Sequence, residues 1–168
     1  GDGKDTFNIS TLSAFVVAGA GYKVVKHGNY AASSVSGSSD VLQNLGYQFS
    51  NDQSELQQQL DKAGICFLHA PMFHPALKEV APVRRALQIK TFFNMLGPLV
   101  NPAQPNHQLV GVYDLHIMRL YQYFLQETDK SYAIVHSLDG YDEVTLTSNA
   151  KVITNNFDGI LSPGDLGL

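Results

Sequence analysis

Four short runs, Tyr22 to His27, Ile65 to His69, Gln108 to Tyr113 and Tyr132 to His136, read as strands separated by stretches of helical spacing. Ile65 to His69 and Tyr132 to His136 suit buried strands. Strands that alternate with helices pair mainly in parallel, because each crossover helix returns the chain to the same end of the sheet. The expected fold is therefore α/β: a mainly parallel central sheet flanked by helices, in one domain over residues 1–168. Leu12 to Gly21 is small and apolar and reads as a closely packed buried helix. Asp40 to Leu45 starts a second helix, and Asp52 to Ala63 is a Gln-rich surface helix closed by Gly64. Ala70-Pro71 opens a loop, and Pro75 to Leu87 reads as a helix interrupted at Pro82. Leu115 to Glu127 has apolar residues at helical spacing. Glu143 to Thr147 and Lys151 to Thr154 alternate like paired strands, and Ser162 to Asp165 reads as a turn.

Charge narrows the function classes. The formal net charge is −4, and the 11 Lys and Arg residues are scattered. Binding to a nucleic-acid backbone needs them clustered. A single cysteine, Cys66, excludes an internal disulfide or a multi-cysteine zinc site and fits a reducing cytoplasm. No apolar run approaches the roughly 20 residues of a membrane span.

The polar motifs point to an anion. Gly1-Asp2-Gly3-Lys4-Asp5-Thr6-Phe7-Asn8-Ile9-Ser10-Thr11 leads into the first helix, whose unpaired N–H groups and positive dipole end favour a phosphate. Acids beside a phosphate make sense with a hard cation such as Mg²⁺ between them. Three further clusters fall at carboxyl ends of strands, where ligands gather in such sheets. They are Lys26-His27-Gly28-Asn29, the hydroxyl-rich Ser33 to Ser39, and Asp139-Gly140-Tyr141-Asp142-Glu143. Taken singly, each is commoner as plain structure: a turn, a solvated acidic surface or a satisfied histidine. Cys66 reads as a buried, inert thiol. No nucleophile of the Ser-His-Asp or Cys-His type stands out.

In their order, GDGKDTFNIST at 1–11, KHGN at 26–29, SGSSDVL at 36–42, HAPMFHPALKEVAPVRR at 69–85, TFFNMLGPLVNP at 91–102 and DGYDEVTLT at 139–147 resemble the anthranilate phosphoribosyltransferases. The resemblance implies transfer of phosphoribosyl from 5-phosphoribosyl 1-pyrophosphate to anthranilate, with Mg²⁺, in tryptophan biosynthesis. It implies a cytoplasmic enzyme with small-molecule substrates, no nucleic-acid or membrane partner, and a homodimer at full length. It also implies a small helical domain before Gly1, more of the α/β domain after Leu168, and little or no activity for these residues alone.

Carried over by motif, Gly1, Asp2, Thr6, Asn8, Ser10 and Thr11 would meet the donor, with Lys26, His27, Gly28, Asn29 and Ser38. Ser36 and Ser39 are alternatives to Ser38. Asn29, His74 and Arg84 would meet anthranilate, Arg84 at its carboxylate, and Ser10, Asp142 and Glu143 would serve the metal. No residue is assigned as a certain catalytic group. Tyr30 stands where many members have Arg. Two other readings stay open: a pyrimidine nucleoside phosphorylase, and a non-catalytic relative that binds nucleic acid.

Overall fold

A computed structural model describes residues 2–4, 6–31, 36–75 and 93–168, without the side chains of residues 93 and 94. The chain forms two compact units. The first runs from Thr6 to Gln104, and the second combines Gly1–Asp5 with Pro105–Leu168.

In the first unit, α1 (Ile9–Gly19) leads to β1 (Val24–Gly28), then α2 (Ser38–Asn44), α3 (Gln53–Ala63), β2 (Ile65–His69), α4 (Ala70–Phe73), α5 (Phe93–Leu96) and a 3₁₀ turn at Gly97–Val100. β1 and β2 pair in parallel, with Val24 opposite Ile65 and Gly28 opposite His69. Every residue of β2 is buried, and its alternation divides the core in two. Ile65 and Phe67 pack with Ala14 of α1 and Leu42 of α2. Cys66 and Leu68 pack with Leu56 of α3 and half-buried Phe73 of α4. A continuous apolar run is what a strand covered on both faces requires. Asp52 caps α3 by accepting from Glu55 N–H at 2.8 Å, and Gly64 ends it at φ 71°.

In the second unit, β3 (His107–Gly111), α6 (Leu115–Leu125) and β4 (Ser131–Ser137) form a parallel βαβ crossover. β5 (Ala150–Thr154) and β6 (Asp158–Leu161) then follow antiparallel, giving the order β3-β4-β5-β6. Met118, Tyr121 and Leu125 form the buried stripe of α6. A second 3₁₀ turn, Pro163–Leu166, occupies the tail.

The α/β class expected from the alternation of runs is the class observed. Both pairs joined through helices are parallel, and the two antiparallel pairs are joined without a helix, β4 to β5 through the loop 138–149 and β5 to β6 through a short turn. Three local expectations are corrected. The first helix is not buried all round: Thr11 and Ala14 are buried, while Leu12, Phe15, Val16 and Val17 are exposed. A helix apolar on every side does not reveal which face meets the sheet. Ala70-Pro71 starts a helical turn, because proline is well placed in a first turn. Glu143 to Thr147 is a loop, and the hairpin partner of Ala150–Thr154 is Asp158–Leu161. In that loop, bonds to the side chains of Ser137 and Asp139 replace a strand ladder. The expected helix over Pro75 to Leu87 lies almost wholly outside the described residues.

Candidate active site

In the first unit the sequence-predicted residues meet at the start of α1 and the carboxyl end of β1. Asn8 caps α1. Its Oδ1 accepts from Thr11 N–H at 3.0 Å, from the Thr11 hydroxyl at 2.6 Å and from the Ser10 hydroxyl at 3.3 Å. Lys26 Nζ donates to Ser10 Oγ at 3.0 Å. Asn8, Ser10, Thr11 and Lys26 are thus one hydrogen-bonded group, although β1 lies beyond the whole of α1 in sequence. Burial pulls the Lys26 ammonium down to about 8. The group combines a cation, hydroxyls and a helix N-terminus, the elements of an anion site. Thr6, just ahead of it, is exposed, with no described partner.

His27 Nδ1 donates to the Gly97 carbonyl at 3.2 Å, which makes Nε2 of the neutral ring an acceptor. Burial lowers its pKa. The Gly97 bond works the other way, and His74, His69 and Lys26 nearby lower it further. The rings of His27 and His74 meet edge to face at 5.2 Å. Nε2 of each is buried without a hydrogen-bond partner among the described residues. A buried polar atom of this kind favours a polar ligand.

Gly28, Asn29 and Ser38 come together through close backbone approach. A Cβ on Gly28 would lie 3.2 Å from Ser38 Cβ. The Asn29 carbonyl accepts from Ser39 N–H at 3.2 Å. Gly37 precedes α2 and lies so close to Asn29 and Ala31 that a Cβ there would stand 2.5 Å from Ala31 N. Asp40 Oδ2 accepts from the N–H groups of Gly37 and Ala31, both at 2.8 Å. Ser38 is therefore locked to the strand end. Ser39, one of its alternatives, is 2% exposed and points into the core.

The second unit carries the acidic loop between β4 and β5. Ser137 Oγ, fully buried, accepts from Thr145 N–H at 2.9 Å, and Asp139 accepts from the Thr147 hydroxyl at 2.6 Å. Gly140 turns the chain at φ 93°. Gly111 of β3 lies directly against the Asp142 backbone, where a Cβ would come within 1.7 Å of the carbonyl oxygen. Burial pushes the Asp142 carboxyl up, and the negative charge of Asp2 pushes it further. Asp2 also accepts from Lys4 N–H at 3.0 Å, and the Lys4 ammonium lies 4.7 Å from the centre of the Tyr141 ring. Glu143 is half-buried beside Asp142. Asp2 and Asp142 are thus brought together, as two repelling acids. Gly1 and Arg84 lie outside the described residues.

Sequence reasoning misses the supports of these loops. A glycine inside the run Gln108 to Tyr113 is the one available signal for close approach at Gly111. Nothing local marks Ser137 or Asp40 as the residues that fix the chain here, whereas Gly37 in SGSSDVL is legible as a point of close backbone approach.

A family model, described as the a/b domain of the glycosyl transferase family, matches residues 1–166. The chain belongs to this family. It is 62% identical over 168 residues to an anthranilate phosphoribosyltransferase of Flavobacterium psychrophilum, covering all of this chain and 51% of that protein. With the anthranilate phosphoribosyltransferase of Bacteroides fragilis the identity is 56% over 167 residues, 99% of this chain and 50% of that protein. The crystal structure of anthranilate phosphoribosyltransferase from Thermus thermophilus superposes with TM-score 0.91 at 38% identity, over all of this chain and 51% of that one. The Saccharomyces cerevisiae enzyme in complex with PRPP and Mg superposes with TM-score 0.90 at 34% identity, over all of this chain and 48% of that one. The chain spans about half the length of the curated relatives it matches.

Proposed function

We propose that the protein carrying this chain transfers phosphoribosyl from 5-phosphoribosyl 1-pyrophosphate to anthranilate, releasing pyrophosphate, as a step of tryptophan biosynthesis in the cytoplasm. The observation that carries the reading is the bonded group of Asn8, Ser10, Thr11 and Lys26. Its chemistry is that of a phosphate site, in a chain similar over its whole length to an enzyme solved with PRPP and Mg. Breaking the ribosyl–pyrophosphate bond leaves positive charge on the sugar and negative charge on the leaving group. Lys26, the α1 N–H groups and the Ser38 segment stabilise the departing pyrophosphate. Anthranilate's amine is already neutral at pH 7, so the chemistry rests on positioning. Arg84 clamps the acceptor's carboxylate, a pairing that suits a planar guanidinium. Asn29 and His74 line the acceptor's place, with the buried Nε2 atoms of His27 and His74 as polar contacts.

Asp142 and Glu143 are the residues we assign to Mg²⁺, which when bound would neutralise charge on the diphosphate. The fit rests on Asp142: a half-buried carboxyl beside a second acid gains from a cation. Among the described residues no three His, Cys, Asp or Glu side chains form a metal cluster. Two carboxylates are in keeping with an ion that retains several waters. The two small molecules and a second copy of the protein are the partners in this reading. Also among the described residues, no helix is long and apolar enough to cross a membrane.

Pyrophosphate release by the full-length protein tests the proposal. It should require anthranilate and the phosphoribosyl donor together. Release without anthranilate, or phosphate-dependent cleavage of a pyrimidine nucleoside in its place, would refute it.

A further inference from the structure

Ser39, an alternative to Ser38 in the sequence, and Tyr30, which has no assigned role, both touch one side chain, His69, the last residue of β2. His69 Nδ1 and Ser39 Oγ are 2.9 Å apart, and both residues are buried. The His69 ring stacks on Phe49 at 4.8 Å and 25°, and the Tyr30 ring meets it edge-on at 4.7 Å. These contacts reach different segments. Ser39 is the second residue of α2, and its N–H holds the Asn29 carbonyl beyond β1. The Tyr30 hydroxyl donates to Gln43 Oε1, further along α2, at 3.0 Å. His69 itself lies opposite Gly28 in the β1–β2 ladder. One imidazole therefore ties the ends of both strands to the start of α2. A Cβ at Gly28 would stand only 3.2 Å from Ser38 Cβ, so the spacing that it fixes is narrow.

We propose that His69 is a positioning residue for the diphosphate of the donor: through Ser39 and Tyr30 it holds Ser38 and Asn29 at their separation across the strand ends. This rests on the functional reading given above. His69 touches no substrate in this role. It acts by removing the freedom of α2 to slide along the ends of β1 and β2. Preorganisation of this kind strengthens binding without adding a contact. It also gives Tyr30 a part in the fold: its ring braces the imidazole.

The test uses the full-length protein and three variants: His69→Phe, which keeps the ring packing and loses the hydrogen bond; Ser39→Ala, which removes the other end of that bond; and His69→Asn, whose amide restores a polar atom near Nδ1. Losing one buried hydrogen bond should raise the KM and Kd for 5-phosphoribosyl 1-pyrophosphate about 3- to 10-fold in His69→Phe and in Ser39→Ala. The KM for anthranilate should stay within about twofold, since only the donor side is loosened. The double variant His69→Phe/Ser39→Ala should be no worse than either single one, because both break the same bond. His69→Asn should recover part of the loss. Amide hydrogen exchange at Ser38 and Ser39, read without substrate, should quicken in His69→Phe and not in His69→Asn. Unchanged donor binding and exchange in His69→Phe, or an equal rise in both KM values, would overturn the role of His69 and leave the functional reading standing. A wild-type protein that does not bind the donor would instead overturn the functional reading, and the donor-positioning role with it.

Discussion

The two units fix their polar residues by different means. In the first, side chains do the holding: Asn8 takes Thr11 and Ser10, Ser10 takes Lys26, and Asp40 takes the N–H groups of Gly37 and Ala31. In the second, the backbone of the acidic loop leans on a strand, with Asp142 against Gly111 and Thr145 anchored to Ser137. A cation in a crowded anion site needs partners that keep it in place while burial weakens its charge. The acidic loop is placed by its backbone instead, with the position of Asp142 set by the strand it lies against.

The glycines give the largest expected effects and the sharpest separation of the two designs. Gly111→Ala sets a methyl group 1.7 Å from the Asp142 carbonyl, and Gly37→Ala sets one 2.5 Å from Ala31 N. Backbone cannot yield as a flexible side chain can, so each should cost about 2–3 kcal/mol in a denaturant melt, the upper part of the overpacking range. Their functional signatures should differ. Gly111→Ala should raise the Mg²⁺ needed for half-maximal activity and spare the donor KM at saturating metal, whereas Gly37→Ala should raise the donor KM. Gly19, whose Cβ would meet nothing within 4 Å, is the control, and Gly19→Ala should be neutral or stabilising by a few tenths to about 1 kcal/mol. If Gly111→Ala left the metal titration unchanged, the acidic loop would not depend on that strand.

The same contrast explains what can be read in the sequence. β2 is legible because burial on two faces leaves an apolar run, and α3 because Asp52 and Gly64 mark its ends. Asn8, Lys26 and Asp142 are legible as residue types at strand ends and a helix start. Their supports are not. Gly111 and Asp142 are far apart in sequence, and so are the start of α2 at Ser38 and the end of β2 at His69. Only the register of the strands brings such residues together, and local spacing carries no trace of it. Glu143 to Thr147 misleads because alternating Val and Thr suit a strand, while Ser137 and Asp139 offer the hydroxyls nearer partners.

Lys26 yields the next effect, and its sign is set by burial. The folded lysine loses its proton near pH 8, the unfolded one near the ordinary 10.5. Between those values the unfolded chain holds more protons, so stability should rise with pH across that interval. Donor affinity should move the opposite way. A bound anion favours the protonated amine, so binding should weaken as pH rises through about 8 and should take up protons near that pH. Lys26→Arg keeps its charge throughout and should flatten the dependence. Calorimetry of donor binding in two buffers of different ionisation enthalpy reads the proton uptake directly. Donor binding that is flat with pH in the wild type would show that Lys26 does not face the anion.

The smallest effect compares two helix caps, one in each unit. Asn8 caps α1 and Asp114 caps α6, where its Oδ1 accepts from His116 N–H at 2.7 Å and Ile117 N–H at 3.3 Å. Replacing either by Ala should cost about 1 kcal/mol of stability. Their other consequences should part. Asn8 also holds the hydroxyls of Ser10 and Thr11, so Asn8→Ala should raise the donor KM, whereas Asp114→Ala should leave it alone. The bond from His116 N–H holds the Asp114 carboxyl below its ordinary value, partly offset by burial and aided by the Ile117 N–H. Its contribution is therefore complete above the ordinary carboxylate range and is lost as pH falls through the depressed value. The Asn8 cap does not titrate. In acid melts Asp114→Asn should remove part of the loss of stability, and Asn8→Asp should add one at the start of α1. If Asn8→Ala lowered stability without touching the donor KM, the bonded group at α1 would be a helix cap and nothing more, and the assignment of the anion site would have to move to α2.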